Sequence, residues 1–183
     1  MMKPIRIIGI SGSLRSDSTN TLVLKTLAKC FPENVDYQIF DGLDKIPHFR
    51  PGLSENEGVI KFKMAIQHAD GIVICTPEYA FGIPGTLKNA LDWTVATGDL
   101  NEKPVAAISS SPLNTGGDKA LAALLLTLTA LGTKKNQQSA YSIPNVNLKI
   151  NALRQLDDEL TQTGLQAQCD NLLEIIGNVK LNG

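Results

Sequence analysis

Histidine and cysteine are scarce in this chain of 183 residues. Its two histidines, His48 and His68, stand alone, with no H-x-x-x-H, H-E-x-x-H or Cys/His cluster around them. That spacing excludes the usual zinc and di-metal ligand sets, so no metal centre is expected. His48 lies in a Pro-bounded loop and His68 near a helix end, where surface or capping roles suffice. The three cysteines, Cys30, Cys75 and Cys169, are far apart and odd in number. They make no C-x-x-C and no disulfide framework, and a reducing, cytoplasmic setting fits them best. Excess charge is absent too: 17 basic against 18 acidic residues leave a net charge of −1. Nothing therefore draws the chain as a whole to nucleic acid or an anionic membrane. Long apolar runs are missing. Ile5–Ile10 is too short for a signal-peptide core or a membrane span, and Ala120–Leu131 is too short to span and is read as a buried helix. Three glycine signatures also fail. Gly9 and Gly12 do not make G-x-G-x-x-G, no G-x-x-x-x-G-K-[ST] occurs, and Gly9-Ile10-Ser11-Gly12-Ser13 lacks the last glycine of G-x-S-x-G.

What is present is an ordinary globular composition, 43% hydrophobic and 19% charged, read as a single domain over 1–183. Strand-like and helix-like segments alternate. Strands are expected at Ile5–Ile10, Val35–Phe40, Gly71–Cys75, Pro104–Ser109 and, more weakly, Gln138–Ile143. Helices are expected at Thr19–Cys30, Glu55–Ala69, Pro84–Ala96, Gly117–Leu131 and Leu153–Ile176, the last with Gly164 as a break. Pro84 suits a first helical turn. The first, third and fourth strands are apolar along their length, the pattern of a parallel sheet covered on both faces. The fold class is therefore a doubly wound α/β sandwich, and a common order for five parallel strands in such a sheet is 2-1-3-4-5. In that order, ligands bind between the carboxyl ends of strands one and three.

Two loops end at that crevice. The first, Gly12-Ser13-Leu14-Arg15-Ser16-Asp17-Ser18-Thr19-Asn20-Thr21, follows strand one. Ser11, Ser13, Ser18, Thr19 and Asn20 offer neutral hydrogen bonds, Arg15 a planar cationic fork, and the helix start its free N–H groups. Ser, Thr and Asn before a helix are also ordinary caps. Position after strand one favours an anion cradle, for a mononucleotide phosphate gripped largely by side chains. The second loop, Thr76-Pro77-Glu78-Tyr79-Ala80-Phe81-Gly82-Ile83-Pro84-Gly85, follows strand three. It suits a flat ring, with Pro77 to stiffen the turn and Tyr79 for stacking. On its own it is read more simply as a plain βα connection, with Glu78 a solvated carboxylate. A third loop, Ser109-Ser110-Ser111-Pro112-Leu113-Asn114-Thr115-Gly116-Gly117, borders the same crevice. There Gly116 permits close backbone approach, and a flexible connection fits equally well.

The pairing Gly12-Ser13-Leu14-Arg15…Ser18…Asn20 with Thr76-Pro77-Glu78-Tyr79…Pro84-Gly85-Thr86-Leu87-Lys88-Asn89-Ala90-Leu91-Asp92-Trp93 resembles the NADPH-dependent FMN reductase family, over about Ile5 to Leu131. The resemblance implies a flavodoxin-like fold, FMN as cofactor and NADPH or NADH as co-substrate. It places Ser11, Ser13, Arg15, Ser18, Thr19 and Asn20 on the FMN phosphate. Pro77, Glu78, Tyr79 and the backbone of Ala80 would line the ring, with Ser110 or Ser111 and Gly116 in the third flavin loop. It further implies reduction of a small acceptor such as a quinone, azo compound, flavin or metal oxyanion. A homodimer or homotetramer is implied, with Lys88–Trp93 near the subunit contact and Trp93 either an interface anchor or a core aromatic. Because the flavin carries the chemistry, no catalytic acid or base is named. One departure stands out: the family usually has Asn after Glu-Tyr, and here Ala80 and Phe81 follow. Two other readings share the fold. A flavodoxin-type electron carrier would tend to be strongly acidic, which this chain is not. A flavin-less regulatory module has only Ala80 in its favour.

Overall fold

The computed structural model describes residues 3–182. Five strands alternate with five helices: β1 (Ile5–Ser11), α1 (Thr19–Leu27), β2 (Val35–Phe40), α2 (Glu57–His68), β3 (Gly71–Thr76), α3 (Gly85–Asp92), β4 (Val105–Ser110), α4 (Asp118–Ala130), β5 (Ala140–Ile143) and α5 (Glu159–Asn182). The sheet order is β2-β1-β3-β4-β5 and every pairing is parallel. Every residue of β3 and β4 is buried, as two covered faces require. β2, at the sheet edge, mixes exposed and half-buried positions.

Alternate residues along each central strand enter two separate cores. Ile10, Ile72, Ile74 and Ala107 pack with Phe62 and Ile66 of α2, Leu87 and Leu91 of α3, and Leu124 and Leu128 of α4. Ile7, Val73, Cys75 and Ile108 pack on the other face with Val23 and Leu27 of α1 and Leu165, Leu172 and Ile176 of α5. Full burial of a side chain of this size stabilises by about 1.5–3 kcal/mol, so the two layers pin the sheet register from both sides. That register aligns Ser11 with Cys75 and brings the first two loops out side by side.

Several boundaries differ from expectation. α3 stops at Asp92 rather than Ala96, where the Thr94 and Val95 N–H groups turn to the Leu91 and Asp92 carbonyls three residues back; Trp93, at this end, is 4% exposed and its Nε1 donates to the Pro47 carbonyl at 2.8 Å. Phe49 packs edge-on against its ring, so within the chain Trp93 serves as a core aromatic that ties down the Pro47 loop. Pro84 caps α3 from just outside it. α1 tightens into a 3-10 turn over Ala28–Cys30. The last helix begins at Glu159, not Leu153, and Gly164 does not break it. Gly164 lies against Tyr141, where a Cβ would sit 2.3 Å from the ring Cζ; the glycine serves close packing. His48 and His68 are both exposed.

Candidate functional site

The first three loops converge as the topology requires. The Gly12 N–H donates to the Cys75 carbonyl at 2.8 Å, so the first loop starts hydrogen-bonded to the end of β3. Ser18 then caps α1: its Oγ accepts the Asn20 and Thr21 N–H groups at 3.2 and 3.4 Å. Asn20 is buried, and its Oδ1 accepts both the Cys75 thiol (3.3 Å) and the Ser110 hydroxyl (2.9 Å). Burial raises the Cys75 pKa well above the ordinary thiol value, so the group stays protonated and donates. With Oδ1 held by two strands, the Asn20 amide nitrogen is left as a donor on the cavity wall. No hydrogen bond among the described residues engages the N–H groups of Ser16, Asp17 and Thr19.

The cavity at this point measures about 640 Å³, a size typical of small-molecule sites, which run roughly 300–1,000 Å³. From the first loop, Ser13, Arg15, Ser18, Thr19 and Asn20 line it. Pro77, Glu78 and Tyr79 line it from the second, and Ser110 and Ser111 from the third.

Three expected residues lie off its walls. Ser11 turns inward to hold the loop, accepting from the Thr21 hydroxyl at 3.0 Å and bonding with the Ser13 backbone. Ala80 sits at the exposed tip of the second loop. Gly116 packs against Ser142 with φ +65°, and its carbonyl accepts the Ser109 hydroxyl, so it shapes the third loop from behind.

Two side chains do something other than expected. Glu78 is not a free surface carboxylate. Its Oε2 accepts the Lys119 and Ala120 N–H groups at 2.9 and 3.0 Å, capping α4, whose own cap residue is Gly117. It fastens the second loop to the third. Arg15 is exposed and its guanidinium lies along the Asp17 carboxylate at 3.1 Å. Its charge is thus matched inside the loop.

The second loop is a two-residue reverse turn. Tyr79 and Gly82 exchange both backbone hydrogen bonds at 3.0 Å, with Ala80 at φ +49° and Phe81 at φ +60°. Two consecutive positive φ angles favour Asn and Gly, and an Ala-Phe pair is held there at a cost. Phe81 is 79% exposed and Tyr79 53%.

A fourth segment also forms the cavity wall and was not anticipated. Asn147, Ile150, Asn151, Ala152 and Arg154 all line the cavity. Residues 150–156 form a narrow loop bridged at Ile150 and Leu156. Reading Leu153 onwards as helix concealed it. The signal for the true start was Asp158 three residues before Thr161: the Asp158 Oδ2 accepts the Thr161 N–H at 2.9 Å.

Residues 5–147 match the family model of NADPH-dependent FMN reductase. The chain is 33% identical over 154 residues to a quinone reductase of Escherichia coli, covering 79% of this chain and 82% of that protein. It is 32% identical over 176 residues to an NAD(P)H-dependent FMN reductase of Pseudomonas aeruginosa, covering 91% and 95%. Among solved structures, the flavoenzyme NAD(P)H:(acceptor) oxidoreductase FerB from Paracoccus denitrificans superposes with a TM-score of 0.85 at 29% identity, over 95% of this chain and 98% of that one.

Proposed function

Because the chain belongs to the NADPH-dependent FMN reductase family, we propose that the crevice between β1 and β3 seats FMN with its phosphate at the start of α1 and its ring along Tyr79. The protein is an NAD(P)H-dependent flavin oxidoreductase. FMN held there would supply the redox chemistry between a reduced nicotinamide and an acceptor.

The observation that carries the site assignment is Asn20. Its carbonyl oxygen is committed to Cys75 and Ser110, which leaves its amide nitrogen as a donor on a cavity wall that Thr19 also lines, and no hydrogen bond among the described residues engages the amides of Ser16, Asp17 and Thr19. Such a donor set, at a helix N-terminus, suits a phosphate monoester. Ser13 and Ser18 add hydroxyls to the same end. Pro77 and the Glu78 cap hold the second loop still, so that Tyr79 presents its ring to one side of the crevice. Among the described residues no hydrogen bond engages the Ala80 and Phe81 amides, and both residues stand at the exposed turn tip beside the cavity wall formed by Tyr79. Ser110 and Ser111 form the neighbouring wall. Ser11 and Gly116 act through the loops they shape. No side chain needs to move a proton at a carbon centre, so no catalytic acid or base is assigned.

The acceptor in this reading is a quinone, as the name of the E. coli relative supports. The enzyme is further read as a cytoplasmic homo-oligomer, in keeping with three unpaired cysteines and the family resemblance.

The test is an FMN titration followed by anaerobic addition of NADPH and then benzoquinone. Flavin absorbance should appear with one FMN per chain, bleach with NADPH and return with benzoquinone. Folded protein that takes up no FMN overturns the reading. Uptake without bleaching assigns an electron carrier instead.

A further inference from the structure

We propose that Arg154, carried on the loop between β5 and α5, is a second cationic ligand for the phosphate monoester of the flavin nucleotide. The inference rests on the FMN reading above and concerns a residue beyond the segment that matches the family, which ends at residue 147.

Three observations place it there. Arg154 Nη2 donates to the Asp17 carbonyl at 2.9 Å, across 137 positions of sequence and one residue ahead of the Ser18 cap. The guanidinium therefore stands at the start of α1, and Arg154 lines the same cavity as Ser18, Thr19 and Asn20. Second, its charge is unmatched. Arg15 is paired with the Asp17 carboxylate, whereas Arg154 makes no ion pair among the described residues. A phosphate monoester carries a charge of about −1.5 to −2 near neutral pH. The Arg15–Asp17 pair offers it no net charge, and Arg154 does.

Third, the loop is built to hold the residue still. The Asn151 Oδ1 accepts the Leu153 and Gln155 N–H groups at 3.0 and 3.1 Å, and the Asn151 N–H donates to the Gln155 carbonyl at 2.9 Å. The Arg154 N–H donates to the Asn151 carbonyl at 3.0 Å, and the Leu156 side chain anchors the base in the core. Within this brace Arg154 sits at φ +57°. Left-handed backbone at a non-glycine residue persists where its surroundings enforce it. Here the enforced turn directs a long side chain over the start of α1. Among the described residues one of the five guanidinium N–H donors is used, which leaves the fork available to an anion.

The experiment compares FMN with riboflavin, which lacks the phosphate, by quenching of flavin fluorescence in wild type, R154Q, R154K and R15Q. A hydrogen bond to a charged group contributes about 1.5–3 kcal/mol. R154Q should therefore raise the FMN dissociation constant roughly 10-fold or more and leave riboflavin within about two-fold. R154K, which keeps charge but not the fork, should fall between. The salt dependence of FMN binding should flatten in R154Q, and R15Q should weaken FMN less than R154Q does. Equal loss for FMN and riboflavin would make Arg154 a scaffold residue and overturn the proposal. Unchanged FMN affinity in a folded R154Q protein would overturn it as well. Wild-type protein that binds riboflavin and FMN equally sinks the phosphate assignment alone, whereas wild type that binds neither sinks the FMN reading itself.

Discussion

The loop after β1 and the loop after β3 leave the sheet side by side, and they are built on opposite principles. The first is held by side chains: Ser11, Ser13, Ser18 and Asn20 satisfy one another, the backbone and two neighbouring strands. The second is held by backbone, a two-residue turn closed by a reciprocal pair of hydrogen bonds, with Ala80 and Phe81 in left-handed conformations. Of its side chains, Glu78 hydrogen-bonds to the start of α4, and Ile83 packs against the core. The difference matches two kinds of ligand surface. A phosphate is held by converging donors, which side chains and a helix start can supply. A flat ring needs an unyielding wall and backbone groups along its edge.

Substitutions can break that contrast, and the largest effect is expected at Asn20. Asn20→Ala removes the acceptor of two buried donors, Cys75 and Ser110. At about 1–3 kcal/mol for a stranded buried group, urea unfolding should show a loss of about 2 kcal/mol, with FMN affinity falling too. A loss under about 0.5 kcal/mol would mean that the first loop does not depend on this side chain. Glu78→Ala comes next. It uncaps α4 from a distance, and caps are typically worth about 1 kcal/mol. The second loop should loosen with it, read as faster amide exchange at Lys119 and Ala120.

Ala80→Asn should act with the opposite sign. Asn tolerates a positive φ that alanine resists, so stability should rise by about 0.5–1 kcal/mol, checked by urea unfolding. No gain would show that the turn carries no strain. The smallest effect lies outside both loops and gives a baseline for them. The Lys149 ammonium and the Thr161 hydroxyl and N–H hold the Asp158 carboxyl below its usual value, at about 2. A depressed acid pKa contributes stability above the ordinary value of 3.8 and loses it as pH falls through 2. Asp158→Asn should therefore flatten the stability profile between pH 4 and pH 2, by at most about 1 kcal/mol for a partly exposed pair. An unchanged profile would assign that acid sensitivity elsewhere.

Much of the site was legible because its information is local. Ser13, Ser18, Thr19 and Asn20 follow a buried strand directly, and in a parallel sheet the end of β1 is a fixed place. The rest was hidden for a definite reason. Arg154 is a single arginine in a polar segment that mimics a helix, and what gives it meaning is a contact with Asp17 far away in sequence. Glu78 looked solvated because its partners, the Lys119 and Ala120 amides, are backbone groups with no mark in the sequence. Trp93 had two readings until its hydrogen bond to Pro47 was visible.

The sequence by itself determined the layered α/β order, the strand succession and the two loops that leave β1 and β3. Apolar periodicity and turn chemistry act over a few neighbouring residues, and each can be read where it stands. Tertiary structure alone decided how charge is distributed at the crevice: Arg15 is matched by Asp17, and Arg154, beside the start of α1, makes no ion pair among the described residues. Electrostatic pairing depends on distance in space, and only the folded chain sets which charges come within reach of one another.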